Sequence, residues 1–130
     1  MPRSRLLLVA LTSIAGCFTG PSAGRFTPAV SAHGIETRLI LGRRQEIRGE
    51  LVELRDSAYV LINSDGLLLV PFSIVSGATF DALGGYDGGA PGAEWRRQLR
   101  LVSRFPYGMP DQAVAALLRS TGQSELRVVR

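Results

Sequence analysis

Between residues 35 and 80 apolar and polar positions alternate with the period of half-buried strands. In Glu46–Leu54 (EIRGELVEL), Ile47, Gly49 and Leu51 share one side of the chain while Arg48 and Glu50 take the other. The alternation slips over Val52–Leu54, which predicts a bulge or bend. Ile35–Leu41, Ala58–Asn63, Leu67–Phe72 and Ile74–Phe80 read as further strands. Between them fall three turn segments: Gly42–Gln45, Arg55-Asp56-Ser57 and Asn63-Ser64-Asp65-Gly66. The last carries Asp-Gly between apolar runs, a hairpin signal because glycine tolerates the positive φ such a turn needs. Pro71 has no N–H to give to a ladder and so belongs at a strand end or edge.

Past residue 92 the period lengthens to that of a helix. In Glu94–Arg104 (EWRRQLRLVSR), Trp95, Leu99 and Val102 stand at i, i+4 and i+7 with arginines elsewhere. Phe105–Pro110 (FPYGMP) breaks that helix and presents Phe105, Tyr107 and Met109, placed either to cap the open end of the sheet or to line a binding cleft. A second helix is predicted over Pro110–Thr121. Its apolar stripe is Val114, Leu117 and Leu118, Asp111 complements the positive end of the helix dipole, and Gly122 ends it. Gly84–Gly92 (GGYDGGAPG) reads as a mobile loop; it lacks the Gly-Lys-Ser/Thr that completes a phosphate-binding loop. Glu125–Arg130 alternates through Leu126 and Val128 and is placed to return to the sheet. The fold class expected is mostly β with C-terminal helices, an α+β domain over residues 35–130. Its core is a small, strongly bent antiparallel sheet or an SH3-like barrel of about four to six short strands, followed by two short helices.

The stretch from Ile47 to Leu61 (IRGELVELRDSAYVL) resembles the first half of the Sm-like barrels, which use an apolar residue, a glycine, a leucine two later and an aspartate turn. The resemblance implies a bend at Gly49 and a turn at Asp56. One extra residue precedes Asp56, and Asn63 arrives too late to match the RNA-contacting asparagine of that family. RNA binding is therefore not carried over with the fold.

Upstream of the strands, Arg3 and Arg5 precede the apolar run Leu6–Ile14 (LLLVALTSI), and small residues follow. This is the layout of an export signal, with an apolar core well short of the about 20 residues of a permanent membrane span. Ile14-Ala15-Gly16-Cys17 resembles the lipobox of bacterial lipoproteins. That resemblance implies a diacylglycerol thioether on Cys17, cleavage after Gly16, and anchoring in the cell envelope by acyl chains at about 0.8 kcal/mol per buried methylene. Residue 18 is phenylalanine rather than the aspartate associated with inner-membrane retention, which favours the outer membrane, on its periplasmic side, if the bacterium has one. A competing site, Val30-Ser31-Ala32, would release a soluble exported or periplasmic protein beginning at His33. The chain thus divides into a signal (1–16), a Gly-, Pro- and Ser-rich tether (17–34) and the domain (35–130).

Charge adds less than the net +4 suggests. Every basic residue is an arginine, and Arg43, Arg44, Arg48 and Arg55 are interspersed with Glu46, Glu50, Glu53 and Asp56 as on a solvated surface. Only Arg96, Arg97, Arg100 and Arg104 form a basic cluster, suited either to anionic lipid headgroups or to an acidic partner. With Phe105, Tyr107 and Met109 they are the candidate partner-binding residues. The chain has one histidine and one cysteine, so neither a Ser-His-Asp site on the domain nor a histidine-based zinc site is expected, and no cofactor or metal is anticipated. The expected function is that of an envelope lipoprotein whose non-enzymatic domain binds or scaffolds another envelope component, such as an envelope protein. The alternatives are a soluble exported protein and a carboxylate-based envelope hydrolase drawing on Glu46, Glu50, Glu53 or Asp56.

Overall fold

The computed structural model of the protein describes residues 33–130. The export signal, Cys17, the competing cleavage site up to Ala32 and most of the tether lie outside the described residues. The elements in chain order are β1 (Glu36–Leu41), β2 (Gln45–Leu54), β3 (Ala58–Asn63), β4 (Gly66–Pro71), β5 (Val75–Phe80), β6 (Gly84–Asp87), α1 (Ala93–Val102), α2 (Asp111–Thr121) and β7 (Arg127–Val128). One 3-10 turn, Phe72–Ile74, joins β4 to β5. The strands make a single sheet in the order β6-β5-β1-β2-β3-β4-β7, antiparallel throughout except for the parallel pair β4–β7. This is the mostly β, α+β domain that the hydrophobic pattern predicts.

The sheet must curl. Strands β5 and β4 are four intervals apart in the order, about 19 Å in a flat sheet at about 4.8 Å per interval. Four Cα steps from Pro71 to Val75 reach at most about 14 Å, and the 3-10 turn shortens that further. The curl stops short of a barrel. Beyond β4 lies β7 and beyond β5 lies β6, and no ladder joins these two edges. The barrel alternative is corrected accordingly, and the sheet is open.

Curling gives the sheet an inner face and an outer one, and both are covered. Leu39, Leu51, Leu61, Leu68, Val70 and Phe80 point into the inner core, where Trp95, Leu99 and Val102 of α1 join them. Val52, Val60 and Leu67 face outward beneath Leu117 and Leu118 of α2 together with Phe105, Met109 and Leu126. Two-sided burial explains why β3 (AYVLIN) is almost wholly apolar. The bulge in β2 falls where the alternation slips, between Leu51 and Glu53. It lets Leu51 and Leu54, three residues apart, both face inward while Val52 turns out. Each such side chain fully buried contributes roughly 1.5–3 kcal/mol.

The glycine-rich segment departs from the expected loop. Residues 84–87 pair with β5 as an edge strand, and the chain then doubles back against the 3-10 turn. A Cβ on Gly85 would lie 2.1 Å from the Ala78 carbonyl oxygen, and one on Gly89 would lie 1.8 Å from that of Phe72. Glycines here permit close backbone approach, a use that composition alone does not distinguish from mobility. The return of Glu125–Arg130 is shorter than the alternation implies. Only Arg127 and Val128 pair, with Leu68 and Leu69 of β4. Among the described residues the strand total is therefore seven, one above the expected range.

At the end of α2, Gly122 adopts the left-handed conformation (φ 71°) that terminates the helix. Gln123 then turns its side-chain amide onto the edge of β4. Its Oε1 accepts from the Leu67 N–H (2.7 Å) and its Nε2 donates to the Leu67 carbonyl (3.0 Å).

Gly89→Ala is expected to destabilise the domain by about 1–3 kcal/mol through forced backbone displacement. Gly42→Ala, where a Cβ meets nothing within 4 Å, should be neutral or stabilising by a few tenths of a kcal/mol. Thermal denaturation of both variants checks the contrast.

Candidate functional site

Helix α1 is fixed from within. Its stripe of Trp95, Leu99 and Val102 packs into the inner core. Beyond its last turn, the Ser103 hydroxyl donates to the Arg100 carbonyl (2.7 Å) and the Ser103 N–H to the Leu99 carbonyl (3.0 Å). The next two residues run along β2, with the Arg104 N–H donating to Leu51 and the Phe105 N–H to Val52. Arg97, Arg100 and Leu101 consequently face away from the core.

Outside this helix lies an open groove of about 1040 Å³. One wall is α1, contributing Arg96, Arg97, Arg100 and Leu101; the other is the β2–β3 turn with Arg55 and Asp56; Pro106 and Tyr107 close the end. Leu101 is 65% exposed and Tyr107 80%. Leu101 is off the helical stripe by two positions from Leu99, about 200° around the helix. That offset was the signal for an outward apolar residue, although the sequence pattern singled out only the arginines and the 105–109 segment.

The four clustered arginines have distinct tasks. Arg96 donates to the carbonyls of Pro91 and Asp56 (both 3.1 Å), and its guanidinium sits over the Phe72 ring at 5.1 Å. Arg97 pairs with Glu94 at 2.7 Å, and Arg100 reaches the fully exposed Asp56 carboxylate at 3.5 Å. Arg104 belongs to the interior instead. Its Nε donates to Glu50 Oε1 (2.7 Å) and its Nη2 to Oε2 (2.5 Å), with both side chains more than four-fifths buried. Of the expected aromatic and thioether contacts, Tyr107 lies on the groove, whereas Phe105 and Met109 pack under the outer face of the sheet.

Each carboxylate considered for catalysis is engaged by arginine. Glu46 pairs with Arg38 (3.0 Å) and Arg48, Glu53 with Arg55 (3.2 Å), Glu50 with Arg104 and Asp56 with Arg100. The Arg48 hydrogen bond holds Glu46 below the usual carboxylate range, and Arg97 does the same to Glu94. For Glu50, burial alone would push the pKa up. The Arg104 hydrogen bonds, the Gly34 N–H at 2.6 Å and the charges of Arg104 and His33 outweigh that and bring it below normal. Among the described residues no three His, Cys, Asp or Glu side chains converge as a metal site requires, and no helix is long and apolar enough to cross a membrane.

A second polar feature, missed by the sequence pattern, sits at the mouth of the curl. The buried Tyr59 hydroxyl donates to the Gly89 carbonyl (2.8 Å) and shares a hydrogen bond with the Tyr86 hydroxyl. Burial, then the Tyr86 partner, raises the Tyr59 pKa, so this phenol stays protonated and donating. Phe72 meets the Tyr59 ring edge-on at 4.8 Å, and Trp95 meets Tyr86 at 5.1 Å. The arrangement ties β3, β6, the 3-10 turn and α1 to one another.

Arg104→Ala is expected to cost roughly 2–3 kcal/mol by leaving a largely buried carboxylate unpaired, and Arg104→Lys to recover only part because the two-pronged geometry is lost. Glu50's folded pKa is lowered, so its stabilisation is complete above the unfolded value near 4.5 and is lost as pH falls through the folded value. Melting temperatures measured from about pH 6 down to about pH 3 should fall less steeply in Arg104→Ala than in the wild type. No protein-family profile, curated protein or solved structure matches this chain, and the reading of the groove rests on its own geometry.

Proposed function

We propose that the chain is a bacterial envelope lipoprotein, lipid-anchored through Cys17, whose domain binds another envelope component through the α1 groove and performs no catalysis. The order of arginines, apolar core, lipobox-like Ile14-Ala15-Gly16-Cys17 and Gly/Pro/Ser-rich tether supports the anchor. The observation that carries the binding role is the exposure of Leu101 and Tyr107, both of which line an arginine-lined groove. Large apolar side chains left in water beside cations commonly mark an interaction surface. The engagement of Glu46, Glu50, Glu53 and Asp56 by arginines favours the binding reading over hydrolysis, which needs one carboxyl group held ready to give a proton.

Membrane fractionation with intact-mass measurement tests the anchor. The expected product begins at Cys17, carries a lipid-sized mass increase and sediments with membranes. In Cys17→Ala both the added mass and the membrane association are lost. A soluble product beginning at His33 would instead establish the exported form, and an unprocessed cytoplasmic chain would overturn both.

A further inference from the structure

We infer that the envelope component met by the groove is the anionic bilayer surface itself: Arg97 and Arg100 contact lipid phosphates while Leu101 and Tyr107 enter the headgroup layer. This inference rests on the lipid-anchor reading, and three observations carry it.

The first is side-chain chemistry. Leu101 and Tyr107, 65% and 80% exposed, line the same groove as Arg97 and Arg100. An aliphatic and an aromatic residue flanked by arginines suit a membrane interface, where each ring or stem has an apolar layer to enter and each guanidinium a phosphate to meet. The second is charge. The groove is lined by four arginines and two acids, Glu53 and Asp56, a balance of 4 − 2 = +2. Glu94 beside Arg97 reduces it by one. The ion pairs of Arg97 and Arg100 involve carboxylates 65% and 100% exposed, and such solvated pairs are weak enough for a phosphate to replace the carboxylate.

The third is where the chain enters the domain. Gly34 lies against the backbone N–H of Arg104 and the carbonyl of Leu51, and the Ile35 N–H donates to Val102 (2.9 Å). The entry is thus at the C-terminal end of α1, about 10 Å along β2 from the groove wall at Leu54. Cys17 precedes His33 by 33 − 17 = 16 residues, a reach of at most about 55 Å. A lipid on Cys17 would hold the groove near the bilayer at a millimolar effective concentration, so a weak surface suffices for docking.

The test uses the mature chain, residues 17–130 with Cys17→Ser, so that no acyl group contributes. Flotation is measured with phosphatidylcholine vesicles and with vesicles also containing about 30 mol% phosphatidylglycerol. Expected is partition at least about tenfold stronger onto the anionic vesicles at low salt, with most of the preference gone at about 0.5 M salt. Leu101→Ser/Tyr107→Ser and Arg97→Gln/Arg100→Gln should each weaken it about tenfold, with the melting temperature and the emission of Trp95, the only tryptophan, unchanged. Equal partition onto both vesicle types, no partition, or full partition by both double variants would overturn the inference. So would inorganic phosphate displacing the chain from vesicles at low millimolar concentration, which would mark a soluble-anion site, or a dimer dependent on Leu101 and Tyr107, which would assign the groove to a second copy. None of these results depends on lipidation of Cys17, so a failure here leaves the mass measurement to judge the anchor separately.

Discussion

The short connection from β4 to β5 is the constraint on which the rest of the domain depends. Because β5 must pair with β1 while three residues of 3-10 turn hold it close to β4, the sheet has to curl. Curling creates the inner core. Tyr59, Phe72, Tyr86 and Trp95 meet in it, with Gly89 admitted beside Phe72 because it carries no side chain. Helix α1 then has one place to sit, across this aromatic group with Leu99 inside, and its outward residues follow from that placement.

The arginines divide by burial, and that division separates architecture from surface. Arg104 and Arg96 are bound to named partners at short range and tie α1 to β2 and to the turns around it. Arg97 and Arg100 hold solvated partners and remain available to other anions. A sequence run of four arginines thus holds two kinds of residue, distinguished by what the fold brings opposite each one.

Much of this was legible in the chain. The first five strands, the slip in β2, both helices and the glycine stop after α2 follow from periodicity and turn chemistry, which are local, whereas the pairing of β5 with β1 does not. Unread were the features set by contacts distant in sequence. Gly85 and Gly89 looked like flexibility because their neighbours, Ala78 and Phe72, are only brought near by the curl. Arg104 looked like surface because Glu50 lies 54 residues away. Phe105 and Met109 pack under the outer face of the sheet rather than over its open end or in a cleft, because that face is also apolar, information that the uninterrupted β3 sequence AYVLI contained. Leu101 was readable in principle as an apolar residue on the wrong side of its helix.

Gln123 gives the two margins of the sheet different characters. On the β4 side a single side-chain amide stands in for a strand residue at Leu67, and only two paired residues follow it. The Val129 N–H adds a bond to the Leu69 carbonyl (2.9 Å). The last eight residues are held to the sheet by these bonds and by Leu126 and Val129, which pack against the outer and inner cores. By occupying the outer edge of β4 at Leu67, Leu68 and Leu69, Gln123 and β7 deny that edge to any other extended chain.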